Sequence, residues 1–95
     1  VQEDPAFLLR VTSRLAELAH RFGDHALSSE HYQRALHQDP DNPDLLRRYG
    51  FLLLDLSENL ADPVQRQEVL TEAEKVFSDA IKISQDDVEV YYGYG

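Results

Sequence analysis

The chain contains no cysteine, which excludes disulfides and thiolate metal sites and leaves the redox compartment unread; the cytoplasmic side is the expected setting. Long apolar runs are also missing. The longest, Phe51 to Leu54, falls far short of the roughly 20 residues a membrane-spanning helix needs, so this segment is not expected to insert into a membrane. No basic-then-apolar leader opens the chain. It starts at Val1 and stops at "YYGYG" with a helical pattern unfinished, as expected of a piece of something longer. Bases are scarce as well: 9 Lys and Arg stand against 18 Asp and Glu, a net charge of -9. Such a chain repels phosphate backbones and anionic membrane surfaces, so nucleic acid is not an expected partner. The excess would suit a cationic partner, although a solvated acidic face is the simpler reading.

What is present reads as helix throughout. At 95 residues and 42% hydrophobic content, residues 1–95 suit one small domain burying about two thirds of its unfolded surface. Asp4-Pro5 is a helix-starting pair, after which Phe7, Val11, Leu15, Leu18 and Phe22 recur at helical spacing until Gly23. Asp24 can cap a second helix carrying Leu27, Ser28, Tyr32, Ala35 and Leu36, ending at Asp39-Pro40. Asn42-Pro43 opens a third, with Leu45, Leu46, Tyr49, Leu52, Leu53, Leu56 and Leu60 on one side. Asp62-Pro63 opens a fourth, predicted to run to about Ile83; Gln85-Asp86-Asp87 then reads as the lead into a fifth, incomplete helix with Tyr91 and Tyr94.

Laid over one another, these helices repeat. Leu15-Ala16, Tyr49-Gly50 and Tyr94-Gly95 each set a large residue before a small one. Ser28, Tyr32 and Ala35 match Ala73, Phe77 and Ala80, a small, aromatic, small triplet at i, i+4 and i+7. In this the sequence resembles the tetratricopeptide repeat (TPR) family, with its W-x2-L-G-x2-Y, A-x3-F-x2-A and closing P pattern. "GDHALSSEHYQRALHQDPDNP" carries the likeness, and Thr12, Ala19 and Ser28 stand where the pattern has Trp, Tyr and Ala. The resemblance implies an all-α stack of antiparallel helical hairpins: repeat one over about 5–40, repeat two over about 43–84 and a partial third over 87–95.

Repeat two is longer. The interval from Gly50 to Ala73 is nearly twice that from Ala16 to Ser28. Because the apolar stripes run on to Leu60 and start early at Val69 and Leu70, the inserted residues are expected to lengthen both helices. Each would gain about 8 Å at 1.5 Å per residue, with a turn at Ala61-Asp62 and an apolar cluster of Leu56, Leu60, Val69 and Leu70 above the repeat core. A pair of repeats with a lengthened second hairpin is also similar to the plant-type mitochondrial outer-membrane import receptor. That likeness rests on "RRYGFLLLDLS" and the insertion, and implies binding of amphipathic presequences.

Projected at 100° per residue, the side of the third helix opposite Tyr49 and Leu56 carries Arg47, Phe51, Leu54 and Glu58. The resemblance implies a concave groove lined by the first helix of each pair, so that Ser13, Glu17, His20, Arg21, Arg47, Phe51 and Leu54 are the candidate site residues. Phe51 and Leu54 would anchor a peptide or partner helix and Arg47 would orient it. Some relatives grip the carboxylate tails of heat-shock chaperones; Ser13, Glu17, Arg48, Glu89 and Gly93 stand at the matching places here, and one base among them speaks against that role.

No nucleophile and base, and no Gly-rich phosphate loop, stand in a recognisable arrangement, so catalysis and cofactor binding are not expected. The four histidines at 20, 25, 31 and 37 are spaced 5, 6 and 6 apart. That is not the i, i+4 spacing that sets two ligands on one helical face, and no metal is expected. The expected function is therefore a non-catalytic protein-interaction module. The alternative is a structural solenoid segment or self-association unit, in which a homodimer could form through the open C-terminal end.

Overall fold

A computed structural model describes residues 4–92, and side chains as far as residue 84. It is all-helical: α1 spans Pro5–Arg21, α2 His25–Gln38, α3 Pro43–Glu58 and α4 Pro63–Tyr92. Each start is built by a short polar cap. The carboxylates of Asp4, Asp24 and Asp62 accept from the backbone N–H groups of Ala6, Leu27 and Val64, and the Asn42 side-chain oxygen accepts from Asp44 and Leu45. These bonds satisfy amides that a helix start leaves unpaired, and proline at the first position of α1, α3 and α4 has no amide to satisfy.

At the end of α1, Gly23 adopts φ +82°, the left-handed region that favours glycine. Its N–H donates to the His20 carbonyl at 3.1 Å, while Asp24 N–H donates to Ala19 at 2.9 Å. This paired closure ends the helix in a short turn. The chain therefore reverses at once, and α2 folds back along α1.

Consecutive helices pack against each other, α1 on α2, α2 on α3 and α3 on α4. One core of Ala16, Tyr32, Ala35, Leu45, Leu46, Tyr49, Leu52, Leu53, Ala73, Val76 and Ala80 runs through all four. Small residues set the spacing. The Ser28 hydroxyl, fully buried, donates to the Ala16 carbonyl at 2.7 Å, tying α2 to α1 and satisfying a group that burial would otherwise leave costly. Gly50 takes the corresponding place on α3, and a Cβ there would stand 2.6 Å from the Phe77 ring on α4. Tyr49 joins three helices: its hydroxyl accepts from Gln33 on α2 at 3.0 Å and donates to Glu72 on α4 at 3.2 Å.

The second hairpin is lengthened, but unequally. α3 runs on from Gly50 to Glu58, a little farther than α1 runs from Ala16 to Arg21. α4 begins at Pro63, far ahead of Ala73, whereas α2 begins at His25, just ahead of Ser28. Most of the insertion is therefore in α4. The turn covers Asn59–Asp62, so Leu60 leaves the helix; its carbonyl accepts from the Arg66 guanidinium at 2.7 Å. Leu56, Leu60, Val69 and Leu70 are all half-buried, and of these only Val69 packs against the main core.

Two expectations need correction. α4 does not stop near Ile83. Its backbone runs unbroken to Tyr92, so 87–92 continue α4 and no turn at Gln85–Asp87 opens a third repeat. Gln is a good helix former and Asp a mediocre one, and at under about 1 kcal/mol each the two aspartates do not break a helix without a glycine or proline. The side chain of Tyr91 and all of Tyr94 lie outside the described residues. The apolar stripe of α1 is not core either: Phe7, Val11, Leu15, Leu18 and Phe22 are exposed, and α1 buries Ala16 and Ala19 instead. The reason lies in the repeat. Leu15 matches Tyr49, yet it is 45% exposed while Tyr49 is 3% exposed, because Tyr49 faces α2 and Leu15 faces no helix among the described residues.

Replacing Gly50 with Ala should lower stability by about 1 kcal/mol in urea unfolding. Overpacking costs roughly 1–3 kcal/mol, offset by roughly 1 kcal/mol of helix propensity. Adding Phe77→Leu should recover the loss.

Burial pushes the Tyr49 hydroxyl above its ordinary value of 10.0, an effect that the bond from Gln33 partly opposes, and burial raises Tyr32 as well. The unfolded chain therefore gives up these protons first. Stability should be complete below about pH 10 and fall as pH rises through the raised folded values. Tyr49→Phe should flatten part of that fall in urea midpoints measured from about pH 9 to 11.

Candidate interaction cleft between α1 and α3

α1 and α3 sit on the same side of α2, and their facing side chains leave a cleft. Its narrow end, about 250 Å³, is walled by Glu17, His20, Arg21, Tyr32, Arg48 and Phe51. A wider end of about 610 Å³ shares Glu17 and Arg48 and adds Phe7, Leu9, Arg10, Val11, Ser13, Arg14 and Asn42. Most of the residues singled out in the sequence are thus brought together: Ser13, Glu17, His20, Arg21 and Phe51.

Arg47 and Leu54 are not in the cleft. Arg47 pairs with Asp44 on its own helix, and Leu54 is half-buried against the core. The cause is the breadth of the buried face of α3. From Leu52 round to Gly50 it covers about 160° at 100° per residue, because α3 packs on both α2 and α4. Leu54 falls at the edge of that face, while the edge toward α1 carries Arg48, Phe51 and Asp55. Arg48 stood out in the sequence only as a lone base at a clamp position, and Tyr32 only as core.

Charge inside the cleft runs against the charge of the chain. Arg10, Arg14, Arg21 and Arg48 line it, with Glu17 as the sole acid among the lining residues. The Glu17 carboxylate, 25% exposed, lies 3.1 Å from Arg21, 3.3 Å from Arg48 and 3.7 Å from Arg14. One carboxylate cannot neutralise three guanidiniums, so positive potential remains at the cleft mouth. Each of these pairs is solvent-exposed enough to contribute little to stability. Phe51 supplies an apolar wall; it is 57% exposed and braced edge-on by Phe77 at 5.2 Å between ring centroids.

Beyond Phe51 the cleft closes on a polar contact. His20 Nε2 lies 2.5 Å from Asp55 Oδ2, and the His25 ring sits 5.9 Å from that of His20. His20, His25 and Asp55 come from three helices, and one donor atom from each lies within 4.8 Å of the others. Spacing along a single helix could not reveal this group. Its signal was the pair of histidines flanking Gly23-Asp24, where a tight reversal sets residues from successive helices side by side.

Among the described residues no helix is long and apolar enough to cross a membrane. No protein-family model matches the chain, and neither a curated protein nor a solved structure matches it.

Proposed function

We propose that this chain is a TPR-like, non-catalytic interaction module that holds an acidic peptide segment in the cleft between α1 and α3. The observation that carries this reading is the convergence of Arg48 and a half-exposed Phe51 on one cleft with three further arginines. Guanidiniums recognise carboxylates bidentately, and an aromatic wall beside them suits an adjacent apolar side chain. The net charge of -9 does not oppose this at close range. Solvent-exposed charges farther than about 8 Å are largely screened at physiological salt, whereas the cleft arginines would touch the ligand. A presequence, being Arg-rich, would meet like charge here, and we rank the import-receptor alternative lower for that reason.

Acidic peptides carrying one large apolar residue should bind more weakly as salt rises, while their Lys-substituted counterparts should not bind. Phe51→Ala and Arg48→Ala should each cost at least about tenfold in affinity, roughly 1.4 kcal/mol, by calorimetric titration. Equal binding of the basic peptides, or unchanged affinity in both variants, would sink the proposal.

A second reading, self-association, draws on the exposed face of α1. Val11, Leu15 and Leu18 stand where α3 has Leu45, Tyr49 and Leu52, all of them buried. The face of α4 that corresponds to this part of α2 carries Phe77 and an exposed Ile81, with Glu74 beside them. Head-to-tail pairing of copies would cover both. Light scattering should then show mass growing with concentration, and Leu15→Glu should hold the chain monomeric. A wild-type chain that stays monomeric at all concentrations would exclude this reading.

A further inference from the structure

We propose that His20, His25 and Asp55 form a binding site for a borderline divalent metal ion, with zinc as the fitting case. The three residues arrive from the last turn of α1, the first turn of α2 and the exposed edge of α3, and their donor atoms already lie within 4.8 Å of one another. Tetrahedral zinc, with bonds of about 2.0–2.2 Å to nitrogen and oxygen, sets its ligand atoms roughly 3.3 Å apart. A shift of about 1 Å in side-chain position therefore reaches ligating geometry. The 2.5 Å contact between His20 and Asp55 is a hydrogen bond that the ion replaces by opening it slightly.

The geometry around the group favours a metal over a plain hydrogen-bonded pair. A His–Asp bond does not need His25, yet the His25 ring is held beside His20, tilted by 58° and not stacked on it, so both rings can aim a nitrogen at one point. The Gly23 turn that holds them is closed by two backbone hydrogen bonds, which limits the ordering required on binding. Two imidazoles and a carboxylate select zinc, cobalt, nickel or copper over magnesium and calcium, which take oxygen ligands. Three protein ligands leave a coordination position open to water or to a donor from a partner.

The test is titration of the tag-free chain with zinc, and with cobalt for its visible absorption. One ion should bind per chain and raise the melting temperature. His20→Ala, His25→Ala and Asp55→Asn should each weaken binding at least tenfold, while His31→Ala and His37→Ala leave it unchanged. All five positions lie at the surface or are half-buried, and circular dichroism checks that each variant folds. X-ray absorption of the zinc-loaded wild type, expected to show two imidazoles and oxygen ligands, does not depend on the variants. Absence of zinc binding, zinc that follows His31 or His37, or wild-type affinity in His25→Ala and Asp55→Asn overturns the assignment.

Discussion

Everything in this structure depends on how closely paired helices approach where a side chain is small. At Ala16 and Ser28 the approach is close enough for the serine hydroxyl to reach a backbone carbonyl of the neighbouring helix. At Gly50 it leaves no room for even a methyl group beside Phe77. These two contacts hold the hairpins tight, and the larger residues Tyr32, Tyr49, Leu52 and Leu53 then fill the space between hairpins. The cleft follows from the same spacing. α1 and α3 are both drawn against α2, so their free edges face each other at a separation that a glutamate and an arginine can just bridge.

Much of the fold was legible because its start and stop signals are local. Asp4-Pro5, Asp24, Asn42-Pro43 and Asp62-Pro63 act through bonds to amides two or three positions away, so no tertiary knowledge is needed to read them. The small-aromatic-small triplets were legible for a similar reason, since i, i+4 and i+7 share a helical face in any fold. The end of α4 was not legible, because Gln85-Asp86-Asp87 is polar without being a breaker. Apolar periodicity also told less than it promised in α1. A stripe says that a face is hydrophobic; it does not say that a neighbour exists to cover it, and Phe22 is 85% exposed.

The cleft was half legible. The α1 residues were carried over by repeat register from α3, and they reach the cleft because α1 fully buries only Ala16 and Ala19, which leaves its side toward α3 free. α3 is covered on two sides, and a projection centred on the middle of its stripe points away from the edge that α1 meets. It names Arg47 and Leu54 where Arg48 and Asp55 face α1. The histidine group was invisible for a different reason: it is a product of chain reversal and of a third helix, neither of which periodicity within one helix encodes.

The contact pattern, in which each helix packs on its sequence neighbours, also governs how the molecule folds and comes apart. Contacts local in sequence close small loops, so little entropy is lost before packing begins and assembly is rapid. The same arrangement makes stability a chain of neighbouring terms. α1 and α2 are packed on each other more extensively than α2 is on α3, so the first hairpin can part from the second by giving up the α2–α3 packing and the two polar bridges from α1 to α3, while the α3–α4 pair stays together. Opening is then graded along the sequence, and the seam between the hairpins, where the two walls of the cleft part, is the weaker one.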